Sequence, residues 1–265
     1  MQIHTDLGSG EKPERSFASD VRSSAPSLQC YALQPAADRF TLTPVHVSSF
    51  INNEANGNAF LLFAPSGFSP SEALLKAAFS HCDARPELSC LIVSSGSQAL
   101  KAGLQPSLAL FSHFAEQGLW AQVAAVIIRA ELAATAAPFE QMQEIIWAGF
   151  IHTQSVWVLE AQAEHPVAPQ EAPLSYQQFM AHYEKLTRLT QLVPERKSYR
   201  QSYLRSNLQQ LFLQEVKTQP ALSPRLRDAI RYYAASLPAK TVRERLLLKS
   251  PDIYFTLLKY KKSTD

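Results

Sequence analysis

Two short segments place an acidic side chain where it can do chemistry. Residues 3–9 read IHTDLGS, the end of a candidate strand that leads into a turn containing Asp6, Gly8 and Ser9. Ligands of open α/β sheets gather beyond the carboxyl ends of the strands, so a carboxylate here is placed to meet a ligand. Residues 143–147 read QEIIW, and the Glu144 carboxylate can take a proton from a hydroxyl within hydrogen-bond reach. The alternative at Asp6 is a simple turn after a strand.

Several other chemistries lack their sequence motifs. Neither GxGxxG nor GxxxxGK[ST] occurs, which argues against the common phosphate-binding loops, and no GxSxG marks a hydrolase nucleophile. The seven histidines are scattered, so each is expected to be a surface or core residue rather than a metal ligand. The three cysteines show no CxxC spacing, and without a recognisable export signal we expect reduced thiols and no zinc site.

An ordered series of segments resembles the family 2 glycosyltransferases, whose nucleotide-sugar-binding fold is known as GT-A. IHTDLGS is similar to the V-V-D-x-G-S turn of that family. Residues 52–63, NNEANGNAFLLF, are similar to its N-x-G-x-x-x-A-x-G-x-Y-L-L-F segment. Residues 125–132, AVIIRAEL, followed by PFE at 138–140, resemble I-R-R-x-x-L-x-x-x-G-x-F-D-E. The resemblance covers residues 1–165 and implies an α/β, GT-A-like partial sheet.

The resemblance also implies roles for individual residues. Asp6 matches the aspartate that helps to hold the donor nucleotide, and Gly8 and Ser9 match the residues of the turn that follows. Aligning on Trp147 puts Glu144 where the family has its catalytic base. The alternative is that Glu140 and Glu144 form the solvated face of an amphipathic helix. The implied ligands are a nucleotide-sugar donor and a glycan acceptor.

The sequence departs from the family pattern in two places. The family's D-x-D, whose carboxylates hold a divalent cation against the donor pyrophosphate, is replaced by Pro65, Ser66 and Gly67, which are not cation ligands of that kind. The family's first strand, V-S-I-I-I-P-x-Y-N, has no counterpart. The cofactor is therefore left undefined beyond the nucleotide sugar, and the divalent metal site is expected to be lost.

Two functions follow from these observations. The first is a glycosyltransferase-like protein that transfers a sugar during polysaccharide or glycoconjugate biosynthesis. The second is a catalytically inactive scaffold of the same class, a pseudoenzyme that binds a partner protein, a glycan or a membrane surface. A nucleic-acid-binding protein is the third and least favoured alternative. We expect a cytoplasmic protein, with a peripheral position at the inner face of the membrane as the alternative.

The pattern of apolar residues predicts the elements that must position these residues. Short apolar runs predict strands at 2–5, 28–33, 45–50, 59–63, 89–93, 123–129 and 156–160. The segment SPSE at 69–72 predicts the start of a helix, with a serine N-cap and proline in the first turn. The alternation of strands and helices indicates a layered α/β sheet. Helical periodicity then predicts helices at 176–192, 199–218, 224–236, 240–249 and 251–260.

The composition and the net charge divide the chain into two regions joined by a linker. We expect a domain over residues 1–165, a proline- and alanine-rich linker at 166–175 and a basic α-helical region at 176–265. Residues 1–172 carry 8 Lys and Arg against 16 Asp and Glu, a net −8, and residues 173–265 carry 17 against 7, a net +10. The basic region is expected to face an anionic membrane, a partner protein or the acidic body of the chain, and nucleic acid is disfavoured.

Overall fold

The computed structural model describes residues 28–36, 39–46, 50, 59–66, 68–95, 100–136, 139, 141–160 and 174–263. The strand predicted at 2–5 and most of the linker predicted at 166–175 lie outside these residues. The described part of the chain is an α/β structure with seven strands in one sheet. They are β1 (Leu28–Ala36), β2 (Arg39–Pro44), β3 (Phe60–Pro65), β4 (Cys90–Ser94), β5 (Gly103–Pro106), β6 (Val123–Arg129) and β7 (Ser155–Glu160).

The strand order is β2-β1-β3-β6-β4-β7-β5, so β2 and β5 are the two edge strands. The predicted strand at 45–50 is wrong: Val45 and His46 follow β2 without regular structure, and Phe50 is helical. β2 was missed because it alternates apolar and polar residues, as an edge strand does, rather than forming a continuous apolar run. The other edge strand, β5, was missed because its four residues, GLQP, include a glycine and a proline and have the composition of a loop. The five remaining predictions within the described residues are confirmed, with small shifts at their ends.

The pairing pattern sets which strand ends lie together. β1 is antiparallel to both β2 and β3, and β6 is antiparallel to both β3 and β4. β4 and β7 are parallel, and β5 is antiparallel to β7. β2, β3, β4 and β7 therefore run in one direction. Their carboxyl ends lie along the same end of the strands of the sheet, which we call the carboxyl edge. Leu28, at the amino end of the antiparallel β1, also lies at the carboxyl edge, opposite Pro65.

Helices cover both faces of the sheet. On one face lies α1 (Glu72–Ala84), whose buried Leu75, Ala78 and Cys82 join a core cluster with alternate residues of the central strands. The Oγ of Ser71 accepts a hydrogen bond of 3.2 Å from the Leu74 backbone N–H. Ser71, rather than the expected Ser69, is thus the N-cap, and Pro70 precedes the helix. On the other face lie α2 (Ser107–Gln117), α3 (Ala130–Ala136) and α4 (Met142–His152).

α4 is buried on every side. Residues 144–151 are all buried, so the alternative that Glu144 lies on a solvated face is wrong, whereas Glu140 lies outside the described residues. The reason is tertiary: α4 touches strands of the sheet on one side and the next layer of helices on the other. Gly149 lets this helix approach the sheet closely, because a Cβ built there would overlap Cys90 Sγ in β4.

The chain ends in a second layer of helices. These are α5 (Tyr176–Leu189), α6 (Arg196–Thr218), α7 (Pro224–Ala234), α8 (Val242–Lys249) and α9 (Pro251–Ser263), which confirms the five predicted helices with shifted ends. α6 packs on α2 and α5 packs on α4. The hydroxyl of Tyr199 donates to the Phe150 carbonyl oxygen at 2.9 Å across this junction. One hydrophobic cluster runs from the sheet into these helices.

None of the described helices combines the length and the apolar composition that a bilayer-spanning segment requires.

Candidate functional site

The residues predicted to bind the donor nucleotide, Asp6, Gly8 and Ser9, lie outside the described residues, as does Gly67. Pro65 is the last residue of β3, opposite Leu28 of β1, and Ser66 is exposed in the turn that follows. Pro65 and Ser66 therefore lie at the carboxyl edge of the sheet.

A pocket of about 550 Å³ opens at this edge of the sheet. It is lined by residues 28–31 at the start of β1, residues 44–46 at the end of β2, and Phe63 and Phe139. The rings of Phe63 and Phe139 meet edge to face with centroids 5.7 Å apart and form an apolar wall. The carboxyl edge is where the ligands of α/β sheets usually bind.

The polar groups of the pocket are few. The Tyr31 hydroxyl donates to Gln29 Oε1 at 2.5 Å, and the His46 side chain is exposed at the rim. Burial raises the pKa of Cys30 to about 12, so its sulfur is a thiol and a weak nucleophile at neutral pH. No carboxylate is among the described lining residues. Such a lining can bind a partly apolar ligand and fix its orientation, but it supplies neither an acid–base pair nor a set of metal ligands.

Glu144 lies in the first turn of α4 and is only 4% exposed. Lys185 of α5 donates a hydrogen bond to Glu144 Oε1 and forms an ion pair with it. The carboxylate is thus held inside the protein by a cation from the second helical layer. Glu144 is absent from the described pocket lining. Its assignment as a catalytic base stays a prediction.

Three further polar side chains lie where α4, α5 and α6 meet. The ring of Trp147 packs edge to face on His182 at 5.6 Å and on Tyr203 at 5.5 Å. Within the described structure Trp147 Nε1, His182 Nδ1 and the Tyr203 hydroxyl are buried without a hydrogen-bond partner. Burial lowers the pKa of His182, an effect that the Lys185 cation reinforces and the Glu144 carboxylate opposes. The imidazole is therefore held neutral.

Lys185 and His182 were not predicted from the sequence. The signal that the sequence contains is their spacing of three residues beside the apolar positions Phe179 and Leu186, which puts both polar groups next to the buried stripe of α5. A lysine beside a buried stripe is not informative until its partner is known. That partner is 41 residues away in the chain.

Acid should destabilise the protein through His182. Because the folded pKa lies below the unfolded value of about 6.5, the unfolded state binds more protons as the pH falls below that value. We therefore expect the free energy of unfolding, measured by urea titration, to fall between pH 7.5 and 5.5, since the window opens near 6.5. The H182Q variant should show a smaller fall over the same range. An equal fall in both proteins would contradict this origin.

Comparisons of this chain with protein-family models, curated proteins and solved structures find no match. The class of protein is therefore defined by its own fold and site. It is an α/β protein with a mixed sheet, a ligand-sized pocket at the carboxyl edge and a buried Glu144 carboxylate that is paired with the partly exposed Lys185.

Proposed function

We propose that this protein is glycosyltransferase-like and binds a nucleotide sugar at the carboxyl edge of its sheet, in the assembly of a polysaccharide or glycoconjugate. The observation that carries the proposal is the pocket, which opens beside β3, the strand from the segment that resembles the family. The apolar walls suit a flat ring, and the resemblance assigns the nucleotide to Asp6, Gly8 and Ser9. We place this activity in the cytoplasm.

Transfer would need two further contributions from the chain. The departing diphosphate would be stabilised by basic side chains, because Pro65 and Ser66 offer no carboxylates for a cation. Glu144 would remove the proton from the acceptor hydroxyl, as the resemblance implies. For that step the Glu144 carboxylate must leave Lys185 and reach the acceptor.

The Glu144–Lys185 ion pair favours a second candidate, a non-catalytic protein that binds the same class of ligand without transferring the sugar. A base that is 4% exposed and already paired with a cation is poorly placed to meet a substrate. Under this proposal Glu144 holds α5 on α4, and the pocket serves recognition alone. The bound molecule would then recruit the chain to a glycan or to a partner protein.

Calorimetric titration with a series of nucleotide sugars, with and without Mn²⁺, tests the binding that both candidates share. We expect heat for at least one donor. The V45W variant should weaken binding by about tenfold or more, because the indole would fill a pocket that the half-buried Val45 lines. The L192W variant is the matched control, since Leu192 is 95% exposed and lies outside the pocket. No heat for any donor, or equal loss in both variants, would contradict the proposal.

Release of nucleoside diphosphate from the bound donor separates the two candidates. A transferase should lose this activity in E144Q and keep its donor affinity, because the substitution removes the base and leaves the pocket intact. A non-catalytic protein should show no release in either protein. Binding in the first assay together with no release in this one would select the second candidate.

A further inference from the structure

The outer face of α9 carries a stripe of apolar side chains that are largely exposed within the described structure. Ile253, Leu257 and Tyr260 lie at positions i, i+4 and i+7 and are 59%, 53% and 70% exposed. The opposite side of the helix is buried through Phe255, whose ring packs edge to face on Phe212. α9 thus anchors one side in the core and presents a second apolar side to its surroundings.

This stripe differs from the scattered apolar residues that are normal on protein surfaces. Leu192, for example, is more exposed, but it stands alone between α5 and α6. On α9 the three side chains are neighbours along one face of the same helix. The apolar area of such a helix face becomes buried only when a membrane or another molecule with a complementary surface covers it.

Basic side chains accompany the stripe. Lys261 is exposed and follows Leu257 by four residues, which puts it on the same side of the helix. α8 contacts α9 and carries the exposed Arg243, Arg245 and Lys249.

Asp252, which precedes Ile253 in the chain, is paired with two arginines. It lies 2.8 Å from Arg227 and 3.5 Å from Arg231 in two ion pairs. The exposed charged side chains that the structure describes on α8 and α9 are therefore all cations.

Within the described residues, one ion pair draws on the acidic body of the chain. Lys185–Glu144 joins the basic helices to the sheet domain, whereas the described pairs of Arg188, Arg205, Arg227 and Arg231 lie within the helical region. A shared apolar core also holds the helical region to the sheet.

We infer that the outer face of α9 binds the surface of a bilayer that contains anionic lipids. Ile253 and Leu257 would enter the boundary between headgroups and acyl chains, with Tyr260 at the headgroup level and the cations against the lipid phosphates. A nucleic acid would use the cations and stack on aromatic rings, but it would leave the two aliphatic side chains in water. The two exposed aliphatic side chains therefore favour a membrane over a nucleic acid as the ligand of this face. This inference is independent of the sugar-binding proposal.

Vesicle flotation of the full chain tests the inference. Wild-type protein should float with phosphatidylcholine vesicles that contain phosphatidylglycerol and remain unbound with phosphatidylcholine alone. The I253S/L257S variant should bind about tenfold more weakly, because two aliphatic side chains no longer enter the bilayer. L192S is the matched control and should bind like the wild type. Raising the salt should weaken binding, since the charges act across a short screening length.

A second variant keeps the inference testable if I253S/L257S does not fold. K249E/K261E keeps the apolar stripe and reverses two exposed charges, so it should also lose binding to the anionic vesicles. Equal flotation of the wild type and I253S/L257S, or equal binding to neutral and anionic vesicles, would overturn the inference. So would wild-type protein that ignores both vesicles but binds a single-stranded oligonucleotide with a steep salt dependence.

Discussion

Replacing Lys185 by methionine is expected to lower the free energy of unfolding by about 3 kcal/mol, because it leaves the Glu144 carboxylate inside the protein without its cation. The Glu144 side chain is 6% exposed and that of Lys185 is 34% exposed, so the acid is the partner that cannot return to water. Methionine keeps most of the apolar stem of lysine, so the loss reports on the charge. Urea unfolding at neutral pH measures it.

The double variant E144Q/K185M separates charge from packing. It removes both charges and should recover most of the lost stability, since a neutral amide is much less costly to bury than an unpaired carboxylate. E144Q alone should cost less than K185M, because the partly exposed lysine can still reach solvent. Equal stability of K185M and the wild type would mean that the ion pair does not hold α5 on α4. The buried carboxylate would then be available for other roles, including the proposed catalytic one.

The second large effect is expected at the contact between α4 and the sheet. Substituting Gly149 by alanine should destabilise the protein by about 2 kcal/mol, because the new Cβ would overlap Cys90 Sγ in a fully buried position. Alanine is favoured over glycine inside a helix by about 1 kcal/mol, and that gain is smaller than the cost of overpacking. The sign of the measured change therefore tells which effect dominates.

A double-mutant cycle with C90A provides the control. C90A alone removes a buried sulfur and should be mildly destabilising. In the combined variant the added Cβ occupies the space that the sulfur leaves, so the two changes should cost less together than the sum of their separate effects. Additive losses would show that the helix moves away from the sheet instead of meeting the sulfur. A G149A variant that is more stable than the wild type would show that a Cβ at residue 149 fits between α4 and β4.

The central strands could be predicted from the sequence, because both faces of each are covered and the runs at β3, β4 and β6 are continuously apolar. The edge strands β2 and β5 could not, since one of their sides lacks a neighbour and their composition resembles that of a loop. The helices after residue 175 followed from their periodicity. Their packing against α2 and α4 did not, because periodicity shows which side is apolar and not what covers it.

The candidate site divides in the same way. The position of Pro65 at the end of a buried strand could be predicted from the apolar run before it. The burial of Glu144 could not be predicted, because a glutamate four residues after another one is also typical of a solvated helix face. Its burial depends on a helix that follows much later in the chain and brings Lys185 to it.

The sequence by itself determined the α/β class, the central strands and the basic helical region, since these depend on local periodicity and composition. The tertiary structure decided that four strand ends share one edge with a pocket, that Glu144 is paired inside the protein, and that Ile253, Leu257 and Tyr260 remain exposed. Each of these depends on residues that are distant in the chain. Local sequence patterns predict the secondary structure of a segment, whereas the residues that it contacts depend on the packing of the whole chain.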